Sequence, residues 1–194
     1  MMHSITSLGD SGLLLPASAC VFVYLMLRGA PTVALLWVAT LLTGLSLTLV
    51  AKLGFLACGV DGGLLDIESP SGHASFAAIF FGCCALIAGS GRPRWQRIGI
   101  LGASTAIILL VAVSRVRLRA HTWEEVVCGL AIGFASVAAF AWIHARMKPP
   151  VVRLRPVVVV VAVLAVLLNG HGLQAEPVIR DIARTLRISM NVCG

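Results

Sequence analysis

PTVALLWVATLLTGLSLTLVAKLGFLA, residues 31–57, carries one ionisable side chain, Lys52, across 27 positions. About 20 apolar residues in helical geometry cross the hydrocarbon of a bilayer, so this run is long enough to predict a transmembrane helix. Apolar stretches flank it at 12–28 on one side and at 73–90, 98–115, 122–146 and 156–170 on the other. Together they predict an all-α, polytopic membrane bundle of about six transmembrane helices. Composition agrees, because 59% of residues are hydrophobic and only 12% charged, with a mean hydropathy of +0.98. An ordinary water-soluble fold would expose far more charge.

The breaks between stretches have the chemistry of turns: Arg28-Gly29-Ala30-Pro31, the acid- and glycine-containing segment 59–72, Gly91-Arg92-Pro93-Arg94 and Lys148-Pro149-Pro150. No linker, low-complexity tract or internal repeat divides the chain, and residues 1–194 read as a single domain. Ala17-Ser18-Ala19-Cys20 faintly resembles a cleavage site, yet no basic region precedes it, so the first stretch reads as a retained helix. From Glu176 to Ile188, Ile179, Ile182 and Leu186 alternate at helical spacing with Arg180, Arg184 and Arg187. That tail predicts an amphipathic C-terminal helix lying on the outer membrane surface.

Charge orients the bundle. One face takes the connections between stretches one and two, three and four, and five and six. It holds Arg28, Arg92, Arg94, Arg97, Arg146, Lys148, Arg153 and Arg155, which is 8 of the 15 basic residues, and none of the 8 acids. By the positive-inside rule that face is cytoplasmic, and both termini are expected outside. The net charge of +7 then reflects topology and contact with anionic lipids, and no nucleic-acid-binding motif accompanies it.

Two polar runs fall on the opposite, extracytoplasmic face: Ser69-Pro70-Ser71-Gly72-His73, and Ser114-Arg115 followed by His121 and Glu125. His121 and Glu125 are four apart at the start of a helix, so the carboxylate can hold one imidazole nitrogen and leave the other free to attack phosphorus. Ser71 and Gly72 precede an apolar helix whose free N–H groups can receive an anion, and His73 is placed to protonate a leaving alkoxide. Arg115 can clamp phosphate oxygens in bidentate fashion, while Lys52 supplies a point charge. Plainer readings stand beside these: a helix cap for Ser-Gly-His, a macrodipole partner for Glu125, and a snorkelling side chain for Lys52.

In these runs the chain resembles the type 2 phosphatidic acid phosphatase superfamily of membrane lipid phosphatases. The family pattern is Lys, six residues, Arg-Pro; then Pro-Ser-Gly-His; then Ser-Arg, five residues, His, three residues, Asp. Pro70-Ser71-Gly72-His73 is complete, and Ser114-Arg115 to His121 keeps the spacing. Lys52 meets Gly59-Val60 where Arg-Pro is expected, and Glu125 stands in place of Asp.

The resemblance implies hydrolysis of a lipid phosphate monoester or diphosphate through a phosphohistidine, with no metal and no cofactor. Its partners would be the lipid substrate and surrounding membrane lipids; the short chain and the positive-inside pattern suit a bacterial inner membrane, with the site facing the periplasm or exterior. His121 would be the nucleophile, Glu125 its orienter, His73 the leaving-group acid, and Lys52, Ser71, Gly72 and Arg115 the phosphate ligands. Arg117 and Arg119 are further candidates, either replacing the absent arginine or contacting headgroups. Alternative readings are lipid-to-lipid phosphotransfer and a catalytically silent lipid-binding protein. His3, His144 and His171 have no partners in sequence, no metal motif is present, and Cys58 and Cys193 are the candidates for an external disulfide.

Overall fold

In the computed structural model, residues 5–58, 68–147, 151–152, 155–167 and 175–190 are described, and every regular element among them is helical. A 3-10 turn at Ser7–Gly9 leads into α1 (Ser11–Leu27), α2 (Pro31–Cys58), α3 (Gly72–Gly89), α4 (Arg94–Arg117), α5 (Trp123–His144), α6 (Arg155–Leu167) and α7 (Ala175–Met190). All six apolar stretches of the sequence fall on helices, the sixth as far as Leu167, with 168–170 outside the described residues. Four contain spans long and apolar enough to cross a bilayer unaided, at Pro31–Leu56, Gly72–Gly89, Arg94–Arg117 and Trp123–His144. The remaining two, α1 with 17 residues and α6 with 13, are apolar but shorter.

Local chemistry sets the boundaries. α1 starts at Asp10, whose side chain accepts from Gly12 N–H at 2.6 Å, the usual service of an N-cap aspartate. It stops where Gly29 turns left-handed at φ 71°, with Ala30 N–H donating to Leu25 C=O and Gly29 N–H to Met26 C=O. This is a Schellman ending, and Pro31 then opens α2 at the position where a missing N–H costs nothing. α4 ends in the same hydrogen-bond pattern, Ala120 N–H to Arg115 C=O and Arg119 N–H to Val116 C=O. There the left-handed residue is not glycine but Arg119, at φ 52°.

α3 is the central helix: 67% of its span is buried, against 22–33% for the other three long spans. It packs most extensively on α4 and α5, and α2 lies against both α3 and α5. In lipid, apolar burial alone does not drive helices together, so close packing of small residues and interhelical hydrogen bonds must. Gly133 fits against Ala78 and Ser75, and Gly82 against Val137. Thr48 and Ser75 hydroxyls meet at 2.8 Å, Ser104 Oγ donates to Phe81 C=O at 2.8 Å, and Trp37 Nε1 donates to Ser18 C=O at 3.2 Å. Trp37 and Phe80, meeting edge to face at 5.5 Å, anchor an apolar cluster with Leu14, Val21, Leu25, Phe76 and Phe140. α7 docks on α2, with Ala183 buried at 1% exposure.

Candidate active site

Up-and-down connectivity brings the start of α3, the end of α4, the start of α5 and the C-terminal half of α2 to one end of the bundle. The two polar runs therefore meet, and the residue that joins them is Glu125. Its Oε2 accepts from His121 Nδ1 at 2.7 Å and from Thr122 N–H at 3.1 Å. Its Oε1 accepts from the N–H groups of Glu68 at 3.0 Å and Ser69 at 2.8 Å. A carboxylate has about four acceptor positions, and four donors use them here. The backbone adds a further tie, Ser71 N–H to Glu125 C=O at 3.0 Å.

This arrangement is dictated locally. Thr122 caps α5 and Glu125 occupies the third helical position, completing a reciprocal capping box. The same carboxylate that closes the box then grips His121 one turn back. Because a carboxylate surrounded by donors is an acceptor only, Nδ1 of His121 carries its proton and Nε2 keeps its lone pair. Both side chains are only 7% exposed. Burial lowers the His121 pKa from its ordinary value of 6.5; the Glu125 hydrogen bond and charge oppose this, and the cations Arg115 and Lys52 push it down again. The neutral, nucleophilic form of the ring is thereby favoured at neutral pH.

Facing it is the N-terminus of α3. Ser71 is its N-cap residue with no side-chain capping bond, and its Oγ is buried without a hydrogen-bond partner among the described residues. A hydroxyl donor and the first N–H groups of a helix together suit an anion. Lys52 reaches the same place: it is 3% exposed, and a Cβ on Gly72 would lie 3.9 Å from its Cε. A buried ammonium group beside a helix N-terminus is costly unless an anion or other partner compensates it. Arg115 donates through Nη1 to Thr6 Oγ1 at 3.1 Å.

His73 completes the set, with Nε2 3.5 Å from Asp10 Oδ2. Lys52, Ser71, Gly72, His73, Arg115, His121 and Glu125 thus share one end of the bundle. Arg117, the last residue of α4, and Arg119, in the turn after it, lie just beyond and are exposed. Sequence reasoning missed Asp10 and Thr6 as neighbours of the site. Asp10-Ser11-Gly12 carries only a helix-cap signal, and nothing in it points to His73. It also passed over Thr122, although Thr-x-x-Glu before an apolar run is a legible capping box. Arg180 of α7 pairs with Glu68 at 3.7 Å, placing the C-terminal helix beside the site's rim. Among the described residues, no group of three or more His, Cys, Asp or Glu is arranged to hold a metal ion. The Cys58–Cys193 pairing lies outside the described side chains.

Comparison with known proteins places this architecture in a class. The family model of the PAP2 superfamily matches residues 52–149, and the chain belongs to that superfamily. It is also 31% identical over 148 residues to an uncharacterised 22.5 kDa protein in the cps region of Klebsiella pneumoniae, a match covering 75% of this chain and 70% of that protein. No solved structure matches. Superfamily membership and the apolar helices define a membrane protein of the phosphatase class.

Proposed function

We propose that the protein hydrolyses the phosphate monoester or diphosphate of a lipid at the extracytoplasmic face of a bacterial inner membrane. The observation that carries this reading is the His121–Glu125 pair at 2.7 Å, tied by the same carboxylate to the backbone that opens α3. Nε2 of His121 attacks phosphorus in line with the ester oxygen; the P–N bond forms as the P–O bond breaks. His73 gives its proton to the departing alkoxide. The transferring phosphoryl group is held by the α3 N-terminal N–H groups, Ser71 Oγ, Lys52 and Arg115, whose charges match its equatorial oxygens. Water, deprotonated by the now neutral His73, then cleaves the P–N bond and releases phosphate, and both histidines return to their starting states.

A lipid substrate is supported by the position of the site at the end of a bundle with four helices long and apolar enough to cross a bilayer, three of them mostly unburied by the rest of the chain. The test is phosphate release from a panel of lipid phosphates in detergent, with chelator present, comparing wild type with His121→Ala. Activity that survives chelation and falls at least about a thousandfold in the variant is the expected result. Retention of wild-type turnover by His121→Ala would refute the nucleophile, and loss on chelation would refute the metal-free route.

A further inference from the structure

The segment ahead of α1 lies outside the residues matched by the family model, 52–149, yet it touches two groups of the site. Thr6 accepts from Arg115 at 3.1 Å, and Asp10 lies 3.5 Å from His73. Between them, Gly9 is wedged into the gap between α3 and α4. A Cβ there would lie 2.7 Å from Val111 Cγ1 and 3.1 Å from the His73 carbonyl oxygen. The segment is therefore seated against the site, with Gly9 fully buried. Asp10 is itself fixed, because its other oxygen, Oδ1, caps α1 through Gly12 N–H at 2.6 Å. Its side chain is 15% exposed and that of His73 26%, so the pair is shielded while the imidazole keeps an open edge.

We propose that Asp10 is a positioning residue for His73 in leaving-group protonation, an inference that rests on the phosphatase reading above. The carboxylate takes the Nε2–H of the imidazolium and acts as its counter-ion, which leaves Nδ1–H as the proton handed to the ester oxygen. When the P–O bond breaks, that proton goes to the alkoxide. Neutral His73, still held through Nε2, then takes a proton at Nδ1 from the attacking water. The cations nearby, Lys52 against Gly72 and Arg115 beneath Thr6, serve the phosphate; His121 is occupied with Glu125. Among the described residues, Asp10 supplies a carboxylate beside His73, 3.5 Å from its Nε2.

The experiment exploits the chemistry of the leaving group. An alkoxide departs only with a proton, whereas p-nitrophenolate departs without one. Asp10→Asn keeps the helix cap, since Asn caps as well as Asp, and removes the charge. The full-length protein in detergent is assayed on phosphatidate and on p-nitrophenyl phosphate. Expected is a fall in kcat/KM of about tenfold or more on phosphatidate, a part of what a general acid contributes, and of less than about twofold on the aryl ester. In a His73→Ala background the same substitution should have no further effect on phosphatidate hydrolysis. Equal losses on both substrates, or no loss on either, would overturn the role of Asp10 while leaving the phosphatase reading intact. A wild-type protein releasing phosphate from neither p-nitrophenyl phosphate nor any lipid phosphate of the panel would overturn both.

Discussion

Glu125 does three jobs with one carboxylate: it completes the α5 capping box, holds the Nδ1 proton of His121, and grips the backbone at Glu68 and Ser69. The extra methylene relative to aspartate makes this span possible. Glu125→Asp shortens the reach by about 1.5 Å, so one side of the bridge must let go. Although it restores the residue usual in the family, it is expected to lower kcat/KM by roughly tenfold, measured as phosphate release. On the mechanism proposed above, the pH profile belongs to His121. Protonation at Nε2 abolishes the nucleophile, so activity falls as pH drops through the His121 pKa. Because burial lowers that pKa, the acid limb should lie below about 6.5, the ordinary histidine value. A limb above that value would contradict the assignment. Arg119 offers a third test, since a left-handed arginine costs about 1 kcal/mol that glycine would not. Arg119→Gly should raise thermal stability by about that amount. If the side chain serves a second phosphate, KM for a diphosphate lipid should rise while that for a monophosphate stays constant.

At the scale of elements, the site depends on how closely α5 approaches α3. Gly129 faces Ser71 C=O so tightly that a Cβ would overlap the backbone carbonyl. The small-residue face formed with Gly133 is thus spent inside the chain, on α3. Gly129→Ala must push the Ser71-Gly72 turn away from His121. It is expected to cost about 1–3 kcal/mol of stability and to reduce turnover, read by melting in detergent and by phosphate release. Gly54→Ala on α2, where nothing lies within 4 Å of the added methyl, is the control and should melt at or above the wild-type temperature.

For the whole molecule, the separation of charge between the two ends predicts sidedness. In a cysteine-free background, Glu68→Cys should react with a membrane-impermeant maleimide added to intact cells, and Arg92→Cys should not. The reverse pattern would invert the proposed topology and put the site in the cytoplasm. Much of this architecture was legible in the chain because membrane helices announce themselves by uninterrupted apolar length, and their ends by Gly, Pro and charge. The six apolar stretches match α1 to α6 with boundaries shifted by only a few residues, and the tail from Glu176 to Ile188 lies within α7. His121 and Glu125 were readable as a pair from their spacing of four, although His121 lies ahead of the N-cap Thr122, so the capping box rather than a shared helix face brings them together. What depends on distance in three dimensions was not readable. The tie from Glu125 to the backbone of Glu68 and Ser69, the reach of Lys52 to Gly72, and the seat of Asp10 against His73 all join positions remote in sequence. The sequence by itself determined the class of solvent, the helices and the local His–Glu geometry, because each follows from side chains within a turn or a span of one another. Only the tertiary structure decided which charges share the site, because packing of α5 on α3 through Gly129 brings the two motifs together and the seating of Gly9 between α3 and α4 brings in the N-terminal segment.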